Sequence, residues 1–512
     1  MYDIYHILWN QTGYYGKIAE KLGGAMSIKF DFNGLLDFNV GKNHGVSKKE
    51  LQNYAKQAKA AYTHLSKLFA NKETRVRLSL EWFNLPNQDK KLINEIQIFG
   101  SEIATKYENV IFLGIGGSYL GLKAAQDALL FPYYNEFAGV RKKRSRVYFE
   151  GNNLDPETLS VLLSNLNPKK TFIICISKSG ETSETKAAFE ITLNWLKKGV
   201  GKYYGRQVFA ITDPKSGTLR KKVNEANSKD KLSFKSLPLL EGVGGRFSEF
   251  NMGLLHLAII GIKLKDVLGG AAAMAKRCMK SDLKRNPAVM YALLHVILYK
   301  EKGMGVSVLM PFSEQLKSTA DWYIQLLAES TGKKFERKVV FEKGIEKWVN
   351  GDNVLNIGRT PVSARGTNDL HSIQQNNIEG ENNKVLTFIK VNKFKNDMVI
   401  PDTKDFLAGK KYSRLLSVAQ EGTEWALTRE NRPSCKITIP EINAYSWGEL
   451  LFFFEMATTY EGELLNINAF NQPGVESYKN YMYYKLKKPG VKKEIAEEIE
   501  GNPVQKKRKF LL

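Results

Sequence analysis

Ser177, Lys178, Ser179 and Thr182 stand between an apolar run, Thr171 to Ile176, and a segment with a helical stripe at Ala188, Ile191 and Trp195. Those residue types in that order make an anion site. A strand that turns directly into a helix gathers unpaired backbone N–H groups and the positive end of the helix dipole at one point. Three hydroxyls and one ammonium added there suit a phosphorylated small molecule. Ser and Thr also cap helices without any ligand, so an N-cap followed by a polar helix face is the competing reading. The order Gly-x-x-x-x-Gly-Lys-Ser/Thr is missing, which argues against a nucleoside triphosphate.

A second candidate turn is Gly114-Ile115-Gly116-Gly117-Ser118-Tyr119-Leu120-Gly121. It resembles a dinucleotide fingerprint up to the third glycine position, where Tyr119 stands, so the match fails. Its glycines either let backbone N–H groups approach a ligand or only make a tight turn beneath a helix. The position favours the ligand, because open α/β sheets bind at the carboxyl ends of their strands.

The elements that must hold these turns follow from periodicity. Val110 to Leu113, Arg146 to Phe149, Thr171 to Ile176 and Gln207 to Thr212 are short apolar strands alternating with helical segments. That alternation predicts a parallel sheet covered on both faces. A second series, Gly305 to Met310, Lys384 to Val391 and Lys436 to Ile439, predicts a similar α/β unit. Residues 26–104 read as helical and polar, with Ser47 and Glu50 as a capping box before an amphipathic helix through Leu65. The expected organisation is a helical arm over 1–104, α/β units over 105–265 and 266–490, and a basic helical tail over 491–512. The first 25 residues lack a leader-like succession of basic, apolar and cleavage-site residues; Met26 is an alternative start, and the extension is expected to be dispensable.

Composition narrows the classes. With 512 residues, 43% hydrophobic and 25% charged, the chain suits two or three domains with sizeable cores. No apolar stretch reaches the length of a membrane span, so no membrane partner is expected. Cys175, Cys278 and Cys435 are far apart and fall in predicted strand or helix, which fits a reducing cytoplasm rather than a disulfide framework. Six scattered histidines form no His-x-x-x-His pair, and no metal is expected. The formal charge of +23 raises a nucleic-acid reading, but the excess is dispersed and no recognition motif accompanies it. The runs Arg141 to Arg144 and Lys506 to Lys509 read as solvated surface, and the field as a means of steering anionic substrates.

Three further segments are more specific. They are Gly244-Gly245-Arg246-Phe247-Ser248, Gly366-Thr367-Asn368-Asp369-Leu370-His371-Ser372 and Asn471-Gln472-Pro473-Gly474-Val475-Glu476-Ser477-Tyr478-Lys479. With the turns above, they make residues 105 to 490 resemble the glucose-6-phosphate isomerases, bacterial type. The resemblance implies two sugar-isomerase (SIS) domains, each an α/β sandwich around a mainly parallel sheet. It implies a homodimer in the cytoplasm and reversible conversion of glucose 6-phosphate to fructose 6-phosphate through a cis-enediolate, in glycolysis and gluconeogenesis, without a cofactor.

Such chemistry needs one base to move a proton between C2 and C1 and another acid/base pair to open the ring. Ala328-Glu329-Ser330-Thr331-Gly332-Lys333 is similar to the segment that carries the base in bacterial members, which implies Glu329. Trp322, Leu326 and Glu329 share a helical stripe, where partial desolvation would strengthen the carboxylate as a base. Animal-type members carry a glutamate just before the Gly-Thr-Asn segment; here Ala364 and Arg365 precede it. The resemblance further implies His371, supplied by the neighbouring subunit, for ring opening, and Lys479 near the ring oxygen. Arg246 would stabilise charge on the enediolate oxygens. Ser177, Lys178, Ser179 and Thr182 would hold the phosphate, with Glu184 and Thr185 completing the wall. Gly116, Gly117, Gly151, Asn152 and Gln472 would contact the sugar or phosphate. Two rivals differ in class: a non-catalytic sugar-phosphate sensor would lack the acid/base set, and a nucleic-acid-binding protein would show steep salt dependence and no turnover.

Overall fold

The computed structural model describes residues 27–507. The expected dispensable extension over 1–25, His6, and Arg508 and Lys509 of the basic tail lie outside them. The chain forms one unit through Ala469 and a second from Phe470 onward.

The first sheet has the order β3-β2-β4-β5-β6, with β2 at Asn109–Leu113, β3 at Arg146–Glu150, β4 at Thr171–Ile176, β5 at Val208–Thr212 and β6 at Lys235–Pro238. Every pairing is parallel. Strand β4 lies between β2 and β5 and every residue in it is buried, which explains its unbroken apolar run. Ile111, Ile173, Cys175 and Ala210 pack with Phe189, Leu193 and Leu196 of helix Ser183–Val200. Burying each such large aliphatic side chain contributes about 1.5–3 kcal/mol. The helix does not bury the expected stripe. Ala188 is buried, but Ile191 is 53% exposed and Trp195 only partly covered. The buried set is Thr185, Ala188, Phe189, Thr192, Leu193 and Leu196, a single i, i+3, i+4 face of which the expected stripe caught only the edge at Ala188.

The second sheet has the order β1-β12-β11-β7-β10. Here β7 is Val306–Pro311, β10 Thr360–Ser363, β11 Lys384–Lys393 and β12 Ser434–Glu441, all paired in parallel. Strand β1, Lys29–Asp31, pairs antiparallel with β12. The helical reading of residues 26–104 therefore needs correction at its start: three residues complete the edge of the second sheet. The capping box is present, Glu50 N–H donating to Ser47 Oγ at 3.2 Å and Ser47 N–H to Glu50 Oε2 at 2.7 Å, and its helix runs Lys48–Ala70.

Helix Ala444–Leu464 is buried along nearly its whole length and packs against helices Leu264–Cys278 and Pro287–Lys302. That accounts for its apolar character on all sides. Between β7 and β10 the chain also forms a hairpin that the strand pattern did not announce. Its strands are β8, Lys333–Glu342, and β9, Ile345–Ile357, joined by Lys343-Gly344, both at positive φ. Two such residues match the twist of the strands they join.

The second unit contains helices Glu476–Lys485 and Lys493–Gly501, bridged by the Tyr484 hydroxyl donating to Glu500. The expected helix in the tail is thus present over Lys493–Gly501. Among the described residues no helix is long and apolar enough to cross a membrane.

Candidate active site

Three strands of the first sheet, β3, β2 and β4, lie side by side and end at the turns singled out above. The turn after β4 is built tightly. Ser177 N–H donates to Ile211 O at 3.1 Å, and Gly180 N–H to Ser177 Oγ at 3.0 Å. Helix Thr218–Lys229 closes it from behind, with Thr218 N–H donating to Ser179 O at 2.8 Å and Thr218 Oγ1 to Gly180 O at 3.0 Å. Gly180 has φ +77°, and a Cβ there would meet Leu219 N at 2.5 Å. Thr182 occupies the N-cap of helix Ser183–Val200 yet makes no side-chain capping bond. Its hydroxyl is therefore not spent on the helix end, which favours the anion reading over the purely capping one. Lys178 and Ser179 are exposed, while Glu184 is half-buried in the first helical turn.

Thr185 is buried and donates through Oγ1 to Gly151 O at 3.3 Å. Gly151, at φ +70°, in turn lies against the turn after β2, where its Cβ position is 3.5 Å from Gly114 N. Asn152 is half-buried and hydrogen-bonds to Tyr119. Gly116 and Gly117 then face two other elements. A Cβ on Gly117 would run into the main chain of Gly245, and one on Gly116 would stand 3.0 Å from Gln325 Nε2. Gly117 is thus needed for close approach of the two main chains, and Gly116, at φ +59°, for the turn.

Gln325 and Glu329 are one turn apart on helix Lys317–Thr331, and Gln325 Nε2 donates to Glu329 Oε1 at 3.1 Å. Trp322 and Leu326 are fully buried, and the Glu329 side chain is 26% exposed. The carboxylate thus sits at the rim of an apolar face, as the stripe predicts. Helix placement is fixed two turns earlier by Trp322 Nε1, which donates to Glu249 Oε1 at 2.6 Å.

Arg246 is 2% exposed. Its Nε donates to Ser330 Oγ at 2.8 Å, Nη1 to Glu329 Oε2 at 3.1 Å and Nη2 to Ala469 O at 2.6 Å. A surface charge would have none of this. Burial pulls the guanidinium down to about 10, with Glu329 opposing the shift, so it stays charged at neutral pH. Gln325 was not among the sequence-derived site residues; the signal available was its spacing of four before Glu329.

The remaining sequence candidates are on other elements. His371 ends the 3-10 turn Asn368–His371 after β10, is exposed, and makes no side-chain hydrogen bond among the described residues. Gln472 and Lys479 belong to the second unit. Gln472 is exposed, and Lys479 Nζ pairs with Glu476 Oε1 at 2.8 Å. Burial pulls the Lys479 ammonium down, but Glu476 outweighs it and carries it up. His256 and His295 are fully buried, as expected for core histidines, each with one bonded ring nitrogen: His256 Nε2 to Gln126 Oε1 at 3.2 Å, and His295 Nδ1 donating to Tyr291 O at 2.8 Å. The described residues contain no cluster suited to a metal ion.

Residues 86–497 match the family model described as phosphoglucose isomerase. The chain is 36% identical to the glucose-6-phosphate isomerase of Carboxydothermus hydrogenoformans, over 95% of this chain and all of that protein. It is 33% identical to the glucose-6-phosphate isomerase of Caldanaerobacter subterraneus subsp. tengcongensis, over 92% of this chain and 98% of the relative. Among solved structures, a hypothetical protein from Thermus thermophilus superposes with a TM-score of 0.74 at 29% identity, covering 90% of this chain and 99% of that one. A glucose-6-phosphate isomerase from Chlamydia trachomatis shares the fold, with a TM-score of 0.65 at 22% identity over 80% of this chain and 76% of the other.

Proposed function

Because the chain belongs to the phosphoglucose isomerase family, we propose that it interconverts glucose 6-phosphate and fructose 6-phosphate, the aldose–ketose step shared by glycolysis and gluconeogenesis. The supporting observation is contiguity. The turn at Ser177 to Thr185 reaches Gly151, then the turn at Gly114 to Gly117, then Gln325 and Glu329 through direct contacts. An anion-binding turn and a carboxylate therefore border the same strand ends.

In this reading Ser177, Lys178, Ser179 and Thr182 hold the phosphate dianion, with Glu184 and Thr185 behind them. Gly116, Gly117, Gly151, Asn152 and Gln472 bound the sugar. Lys479 and His371 of the partner subunit open the ring. Exposure of His371 suits a residue that completes a neighbour's site, and in this reading the functional unit is a homodimer. Glu329 takes the C2 proton as electrons move to O1; the hydroxyl proton passes from O2 to O1, and the same carboxyl returns its proton to C1, leaving a hydroxyl at C1 and the carbonyl at C2. Negative charge passes from Glu329 to the enediolate oxygens, and Arg246, fixed by three acceptors, stabilises it without reorganising. Buried free thiols at Cys175, Cys278 and Cys435 accord with a cytoplasmic setting.

A coupled assay from fructose 6-phosphate on wild type and Glu329→Gln tests the assignment. The variant keeps the shape, keeps one of the two bonds the carboxylate accepts, and cannot shuttle the proton, so kcat falls roughly a hundredfold or more with KM little changed. Near-full turnover of the variant removes Glu329 from the reaction. A wild type inactive on every hexose phosphate would favour a sensor.

A further inference from the structure

Lys333 follows the helix that carries Glu329, opens β8 opposite Ile357, and is only 7% exposed. Its ammonium turns back to donate to the main-chain oxygen of Glu329. A lysine commonly meets the unpaired carbonyls of a helix C-terminus, but it does so from solvent, where the ammonium keeps its hydration. This one is buried, and the charged groups facing it are Glu329 from the helix and Arg246 from the turn Gly244 to Ser248. Two cations thus bear on one residue in a poorly hydrated setting: Arg246 pairs with the Glu329 carboxylate, and Lys333 bonds its main-chain oxygen. Capping alone would not justify that desolvation.

We propose that Lys333 is a positioning residue for the proton-transfer step, its buried ammonium holding the Glu329 turn in register and adding a second positive charge to the field of Arg246. The role rests on the reading of Glu329 as the base. As the proton leaves C2, negative charge shifts from carboxylate to enediolate, and a cation held on the Glu329 turn lowers the barrier by stabilising the enediolate more than the carboxylate. Burial, then the repulsion of Arg246, pull the Lys333 ammonium down to about 7, with Glu329 opposing, so the extra charge is lost just above neutrality. Loss of that charge gives kcat/KM an alkaline descending limb belonging to the free enzyme.

The experiment is the pH profile of kcat/KM for wild type, Lys333→Arg and Lys333→Met, with Glu329→Gln assayed alongside at one pH. A guanidinium stays charged, so Lys333→Arg should move the alkaline limb upward by a pH unit or more. Lys333→Met should flatten that limb and lower the plateau roughly tenfold, mostly in kcat. An alkaline limb unmoved in Lys333→Arg overturns the proposal, even if Lys333→Met is less active, because a mere helix cap would not set it. If Lys333→Met does not fold, the arginine variant carries the test alone. Near-full turnover in Glu329→Gln instead fails the base assignment, and the positioning role with it.

Discussion

Three bonds of Arg246 tie two segments together: the Glu329 carboxylate and Ser330 hydroxyl of helix Lys317–Thr331, and the Ala469 carbonyl. Each goes to a different nitrogen, so the fork itself is the requirement and not just its charge. A lysine supplies one point of charge on a flexible stem and leaves at least two buried acceptors short. Arg246→Lys should therefore lower kcat by roughly a hundredfold, the scale of losing a preorganised donor, while the phosphate turn keeps KM within a few-fold. Steady-state kinetics separate the two constants. A variant with normal kcat would mean that the guanidinium is only a structural tie between the turn and the helix.

At the scale of elements, the hairpin β8–β9 is joined to the rest by a charged cluster rather than by a large apolar face. His64 of helix Lys48–Ala70 bonds through Nδ1 to Glu463 Oε2 at 2.7 Å and through Nε2 to Glu346 Oε1 at 3.1 Å. Arg337 of β8 also pairs with Glu463. Bonds to Glu346 first and Glu463 next lift the imidazole to about 9 against the cost of burial. A group raised on folding contributes stability that is complete below its unfolded value near 6.5 and is lost as pH climbs through about 9. A second device acts in the same direction. Glu249 and Glu455 are fully buried side by side; burial lifts both, Glu249 to about 7, so the pair keeps a proton that alkaline solution removes. Melting temperature should fall from pH 6.5 to 9 in wild type, and less steeply in His64→Leu. Glu249 gives up its proton between its ordinary value near 4.5 and about 7, so in Glu455→Gln the fall in melting temperature should soften over that lower stretch. Parallel slopes in all three proteins would assign the alkaline sensitivity to other groups. These clusters also mark where sequence reading stopped. The buried strands β2, β4 and β5 and the stripe of Trp322, Leu326 and Glu329 were legible because their neighbours repeat at a local period. Strand β1 was not, since three residues pair with a strand some 400 positions away. Nor was the hairpin, whose polar strands lack an apolar run, nor the burial of Lys333, which depends on Arg246 arriving from another turn. The glycine and hydroxyl turns were located correctly, but their contact through Gly151 and Gln325 is a product of strand order.

For the whole molecule the dominant physical fact is a formal charge of +23. Most of it is dispersed, and many lysines lie on exposed faces, so it stabilises no single contact. In the proposed reading its effect is a long-range field that a hexose phosphate dianion crosses before it meets Lys178 or the turn at Ser177. Steering of that kind raises encounter rates and is screened once the Debye length shrinks from about 30 Å at 0.01 M to about 8 Å at 0.15 M salt. Across that range kcat/KM should fall several-fold with an inert salt, whereas kcat, set after binding in a site walled by buried groups, should hardly move. Chloride and a larger monovalent anion at equal ionic strength should act alike, which separates screening from competition at the phosphate turn. Substituting exposed lysines far from the strand ends by glutamine, several at a time, should weaken the salt dependence in proportion to the charge removed. If instead only Lys178→Gln changes it, the field is local to the turn and the global charge serves something other than substrate capture.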